Sequence, residues 1–118
     1  MRHRDKIALE KIVGEISIAL DIISEISFSE FNSNEVLKRA ICMTVINIGE
    51  LVKSLSDEFR IEYNSIPWKA IAGFRDIAAH KYQTLKMGDV YKTVNEDFLN
   101  LQENIQQILN TADVKNEK

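Results

Sequence analysis

The sequence is short of several things, and each shortage excludes a class of protein. One cysteine, Cys42, occurs in 118 residues, so no internal disulfide can form. No Cys-x-x-Cys pair and no Cys/His cluster offers zinc-ligand spacing. No apolar run approaches the roughly 20 residues needed to cross a bilayer. No charged-then-apolar signal peptide opens the chain. The expected location is therefore the cytoplasm, with no membrane partner. There is no alternating strand pattern, no internal repeat and no low-complexity tract. Basic charge is not in excess either. The formal net charge is −3, so the molecule as a whole is no nucleic-acid magnet.

What is present suits one domain over residues 1–118. Hydrophobic residues make up 45% and charged residues 28%, an ordinary globular balance. A chain of this size buries a real core but a shallow one, and a second subunit covering apolar surface would help. Cys42 lies in the apolar run Ala40 to Ile46 and reads as a small core residue. Charge is unevenly spread. From Pro67 to Lys92 there are five basic residues (Lys69, Arg75, Lys81, Lys86, Lys92) and two acidic ones (Asp76, Asp89), a local +3 against −6 elsewhere. Because screening confines fields to about 10 Å, such a patch can still bind phosphate on an acidic body.

Four segments carry helical periodicity. The first runs from about Asp5 to Ser27, with Ile12, Ile16, Ala19, Ile23 and Ile26 on one face. "FSEFNSN" breaks it, and Asn32 with Glu35 resembles a capping pair. The second runs from about Ser33 to Phe59, with the stripe Leu37, Ile41, Thr44, Ile48, Leu51 and Leu55. "RIEYNSI" connects it to a third, which opens at Pro67 and reaches about Tyr82. On that helix Ile71, Phe74, Ile77 and Ala78 are expected to face inward, with Trp68 packing and Lys69 solvated. "QTLKMGD" ends it, and Asp89 is the expected N-cap of the fourth. Val90, Val94, Phe98, Leu101, Ile105 and Ile108 stripe that last helix to about Asn110, and a polar tail follows, expected to fray over about residues 111–118. Three short links between amphipathic helices predict an all-α, antiparallel up-down four-helix bundle.

The third helix carries the chemistry. "GFRDIAAHKYQ" packs an arginine, an aspartate, a histidine, a lysine and a tyrosine into Arg75 to Tyr82. Asp76 and His80 are four apart and share a face, so the carboxylate can orient the imidazole or simply pair with it. Arg75 and His80 are five apart and do not stack directly. Either the long arginine stem bridges the gap, or two copies meet across a twofold axis. Arginine's planar fork suits phosphate oxygens, and histidine exchanges protons near neutral pH. Together they suffice for metal-free RNA cleavage. A base takes the 2′-hydroxyl proton, the 2′-oxygen attacks phosphorus, the 5′-oxygen leaves, and a 2′,3′-cyclic phosphate remains. In a dimer the second histidine protonates the leaving oxygen. Lys81 and Lys69 add cationic contacts for RNA phosphates.

"INIGELVKSLSDEFR", "IPWKAIAGFRDIAAHKY" and "VYKTVNEDFLNLQENI" together resemble the HepT-like branch of the HEPN superfamily. The likeness covers about Ser33 to Leu109. The family signature, an arginine, four residues, a histidine, one residue and a tyrosine, is complete from Arg75 to Tyr82. Asp76 departs from the asparagine common there, placing negative charge beside a phosphate site. The resemblance implies an all-helical homodimer with an interface cleft. It implies a metal-independent endoribonuclease toxin of a type VII, HepT/MntA-like toxin–antitoxin pair, needing no cofactor. Arg75 and His80 map onto the catalytic pair. The implied partners are the RNA substrate and a nucleotidyltransferase antitoxin that transfers AMP to the tyrosine mapping to Tyr82. The alternative reading is a non-catalytic nucleotide- or partner-binding subunit of a nucleotidyltransferase, and a third is a bare helical interaction module. Gly49 inside "IGE" implies a close helix approach. Asn47 and Glu50 have cleft reach but suit structural roles.

Overall fold

The computed structural model describes residues 1–112. Those residues form helices and no β-strand. The elements are α1 (His3–Ile23), α2 (Phe28–Asn32), α3 (Glu35–Lys53), α4 (Asp57–Glu62), α5 (Trp68–His80), a single 3₁₀ turn (Tyr82–Thr84), α6 (Met87–Lys92), a π-helical turn (Thr93–Phe98) and α7 (Leu99–Thr111). Of the expected tail, residues 113–118 lie outside the described residues.

The expected stripes account for most of the core. Ile12, Ile16, Ala19 and Ile23 are buried on α1, and Ile41, Thr44 and Ile48 on α3. All six expected positions from Val90 to Ile108 are buried. The last helical stretch runs unbroken through the π turn. Its apolar positions there advance by two successive steps of four, Val90, Val94 and Phe98, and the wider turn keeps them on the inner face.

Several boundaries differ from expectation, each for a local reason. The "FSEFNSN" segment is helical at α2, because the Ser27 hydroxyl accepts from the Glu30 amide and caps a short turn. The α3 cap is Asn34, which accepts from the Leu37 amide at 3.1 Å, and not Asn32. The expected second helix stops at Lys53. Ser56 then caps α4, which occupies part of the expected connection. That cap is tied to α1: buried Asp5 accepts from the Ser56 amide at 2.8 Å and from its hydroxyl at 2.7 Å. Proline 67 sits just before α5, and the helix ends at His80, two residues short of Tyr82. The cap of α6 is Lys86, with Asp89 inside the first turn rather than at the cap.

Paired contacts give the directions. Arg4 and Asp5 meet Ser54 and Ser56, so α1 runs against α3. Tyr82 meets Glu35, whereas Arg75 meets Gly49, so α3 runs against α5. Gln102 donates to the Val13 carbonyl and to Ser17, fixing α7 on α1. Helix α5 packs chiefly on α3. Between α5 and α7 lies a cleft of about 390 Å³ lined by Ile71, Phe74, Phe98 and Leu101. That cleft explains why Ile71 and Phe74 are only half-buried. Ile77, expected to face inward, is 46% exposed. Only Trp68 and Ala78 are buried on α5, because α3 supports one flank and the cleft holds α7 away from another.

Candidate active site

The site begins at the crossing of α3 and α5. A Cβ built on Gly49 would lie 2.1 Å from Arg75 Cβ, so the two helices approach as closely as a glycine permits. This contact lays the Arg75 stem along α3. Its side chain is 20% exposed, low for an arginine at a helix surface. Nε is buried and lies 2.6 Å from Glu50 Oε1, a close ion pair whose angle is not that of an aligned hydrogen bond. Nη1 donates to Asp76 Oδ1 at 3.1 Å. Lys53 Nζ donates to the same oxygen at 2.8 Å. Two cations and two carboxylates thus form a chain across the helix pair, Lys53–Asp76–Arg75–Glu50. Lys53 first, and Arg75 second, hold the Asp76 carboxyl below its ordinary 3.8.

Asp76 therefore faces Lys53 and Arg75, whereas the spacing had suggested His80. His80 is the last residue of α5 and is exposed. No side chain among the described residues hydrogen-bonds its ring, which leaves the imidazole open to a substrate or to a second subunit. Lys81 and Lys69 are exposed.

Tyr82 occupies the other end of the α3–α5 pair. Its hydroxyl donates to Glu35 Oε1 at 3.0 Å, and the Arg39 guanidinium lies 5.1 Å from its ring centroid. Glu35 also pairs with Arg39 at 3.0 Å and Lys38 at 3.2 Å. Burial first, and the Glu35 carboxylate second, push the Tyr82 phenol above its ordinary 10.0. Lys38, then Tyr82, hold Glu35 below 4.5. Nearby Cys42 is buried, and that burial pushes its thiol up to about 11. Its place in the core matches expectation.

Chemically, the arrangement offers a guanidinium that keeps Nη donors unused among the described residues, and an exposed imidazole about one turn and a half further along the same helix. Among the described residues no group of three or more His, Cys, Asp or Glu is placed to hold a metal ion. Sequence reasoning missed Lys53, Glu35 and Arg39 as partners of the motif. It had a signal for Glu50, which adjoins the one glycine buried in a helix interior.

A family model described as Ribonuclease HepT-like matches residues 12–108, which hold the whole of this constellation. The chain belongs to the HepT-like ribonuclease family. Similar proteins agree. "Putative RNase TTE0752" of Caldanaerobacter subterraneus subsp. tengcongensis is 35% identical over 101 residues, 86% of this chain and 90% of that one. "Probable ribonuclease HepT" of Thermococcus cleftensis is 30% identical over 101 residues, 86% of this chain and 92% of that one. No solved structure matches. The family match begins at Ile12, so the motif-poor α1 is included from its middle onward.

Proposed function

We propose that this HepT-like chain is a metal-independent endoribonuclease that works as a homodimer, the toxin of a type VII toxin–antitoxin pair. Arg75 grips the scissile phosphate and His80 moves the proton between the 2′-hydroxyl and the leaving 5′-oxygen. The observation that carries the reading is the complete Arg75–His80–Tyr82 spacing on α5 and the turn after it, inside the matched family region. A seam between two copies is favoured by apolar surface beside the motif. Ile77, one turn before His80, is 46% exposed, and Met43 on α3 is 58% exposed. Both lie between the Gly49–Arg75 crossing and the Glu35–Tyr82 bond, so they occupy similar heights on the helix pair. Burying that surface would bring two His80 rings to one cleft.

Tyr82 is the proposed acceptor for AMP from a nucleotidyltransferase antitoxin. A phosphodiester there would add anionic bulk next to the cleft, where RNA phosphate must sit, and repel it. Lys81 and Lys69 supply further phosphate contacts from exposed positions on the same segment.

The test is incubation of the purified chain with defined RNAs in excess chelator. Cleavage with 2′,3′-cyclic phosphate ends is expected. Arg75→Ala and His80→Ala should each lower the rate by about 10²–10⁴ while the fold persists, the usual cost of removing such a group. The carboxylates already engaging Arg75 favour a second reading, a non-catalytic nucleotide- or partner-binding subunit. That reading predicts binding without cleavage, with Arg75 required and His80 dispensable.

A further inference from the structure

We propose that Glu50 is a positioning residue for Arg75: it clamps Nε from α3 so that the guanidinium reaches the RNA phosphate already oriented. The inference rests on the ribonuclease reading above and extends it to a residue outside the motif.

Three independent features meet at this point. Glu50 Oε1 lies 2.6 Å from Arg75 Nε, a nitrogen buried away from water. Gly49, the preceding residue, has no side chain to hold α5 away, and any Cβ there would collide with the Arg75 stem. Lys53, one turn beyond, binds Asp76, so the second carboxylate is itself anchored. Gly49, Glu50 and Lys53 together make one short face of α3 into a bracket for a single arginine.

The bracket has a direction. Glu50 takes the Nε side and Asp76 takes one Nη1 hydrogen, which leaves the remaining Nη donors without a partner among the described residues. Those are the donors a phosphate meets end-on. A free arginine has many rotamers and must surrender that freedom to grip an oxyanion. One fixed beforehand gives up less, and the saving appears in the transition state, where charge on the phosphoryl oxygens is greatest. The imperfect angle between Nε and Glu50 fits a resting site whose hydrogen bonds tighten when substrate arrives.

The same geometry supports an opposite role. A carboxylate beside the guanidinium can also mask it and weaken RNA binding. The two roles predict opposite signs, so the experiment is decisive. Steady-state cleavage of a defined RNA in chelator is compared for the wild-type chain, Glu50→Gln and Glu50→Ala. Glutamine keeps an acceptor at the same reach, and alanine removes it. Positioning predicts that Glu50→Ala lowers kcat by about 10²-fold with KM little changed, the scale of loss for a misplaced catalytic group. It also predicts that Glu50→Gln recovers most of that loss. Masking predicts a higher rate or lower KM in both variants and overturns the proposal, as does an unchanged kcat in Glu50→Ala.

A second readout tests the clamp without cleavage. In the full-length chain the Arg75 Nε–H resonance should be protected from solvent exchange, and Glu50→Ala should remove that protection. If the wild-type resonance exchanges as fast as those of exposed arginines, the clamp does not exist. If the clamp is present and the wild-type chain leaves RNA intact in chelator, the ribonuclease reading fails and Glu50 has no cleavage role to position.

Discussion

At the scale of single residues, two glycines on long helices make opposite demands. Each gives up about 1 kcal/mol of helix propensity relative to alanine. Gly14 gains nothing visible in return, since a Cβ there would meet nothing within 4 Å. Gly49 permits the close crossing, because its Cβ would lie 2.1 Å from Arg75 Cβ and 2.6 Å from Cγ, on a stem that backbone holds in place. Gly14→Ala should therefore raise stability by up to about 1 kcal/mol. Gly49→Ala should lower it by about 1–3 kcal/mol, the range for overpacking. Thermal unfolding of the two variants checks this, and a Tm that rises in both would mean that α3 and α5 do not cross here. The need for a close approach at Gly49 was legible in the sequence. Its partner was not, since nothing in the order of residues says that the neighbour is Arg75, 26 positions later.

Among the elements, the α3–α5 pair is closed at both ends by carboxylates. Glu35 holds Tyr82 at one end and Asp76 holds Lys53 at the other. Both acids sit below their ordinary values of 4.5 and 3.8. A lowered value means that the folded state binds the proton less tightly than the unfolded chain does. The contribution is then complete above those ordinary values and is lost as pH falls through the lowered ones. Amide exchange along α5, corrected for intrinsic rates, should show full protection at about pH 5 and selective loosening at about pH 3. Unchanged α5 protection at the lower pH would remove these bonds from any role in holding the pair. The effect is small because both acids are exposed to water, and salt should weaken it further. The periodicity located the four long helical stretches because burial repeats every three to four residues whatever the neighbour is. It overran their ends, because Ser27, Asn34 and Ser56 cap through their own hydrogen bonds and leave no trace in the stripe.

For the whole molecule, the question is what covers the outer flank of α5. Val36 at 76% exposed, Met43 at 58% and Ile77 at 46% leave apolar surface in water on α5, which carries Arg75 and His80, and on α3, which packs against it. Pairing of two copies there predicts a solution mass near twice 13.5 kDa. Met43→Asp or Ile77→Asp should shift it towards 13.5 kDa, because a desolvated carboxylate opposes association. Light scattering after size exclusion reads this directly, and a wild-type chain that runs as a monomer would exclude the twofold cleft. No described helix is long and apolar enough to cross a membrane.

By itself the sequence determined the helical class, most of the buried stripe and the identity of the motif, because each is a local property: residue type, spacing and pitch. Only the tertiary structure decided that Asp76 serves Arg75 rather than His80, that Glu50 reaches Nε, and that Ile77 stays outside. Those outcomes depend on how closely two helices cross and which flank stays open. Both are set by packing between segments far apart in the chain, and no spacing along one helix encodes them.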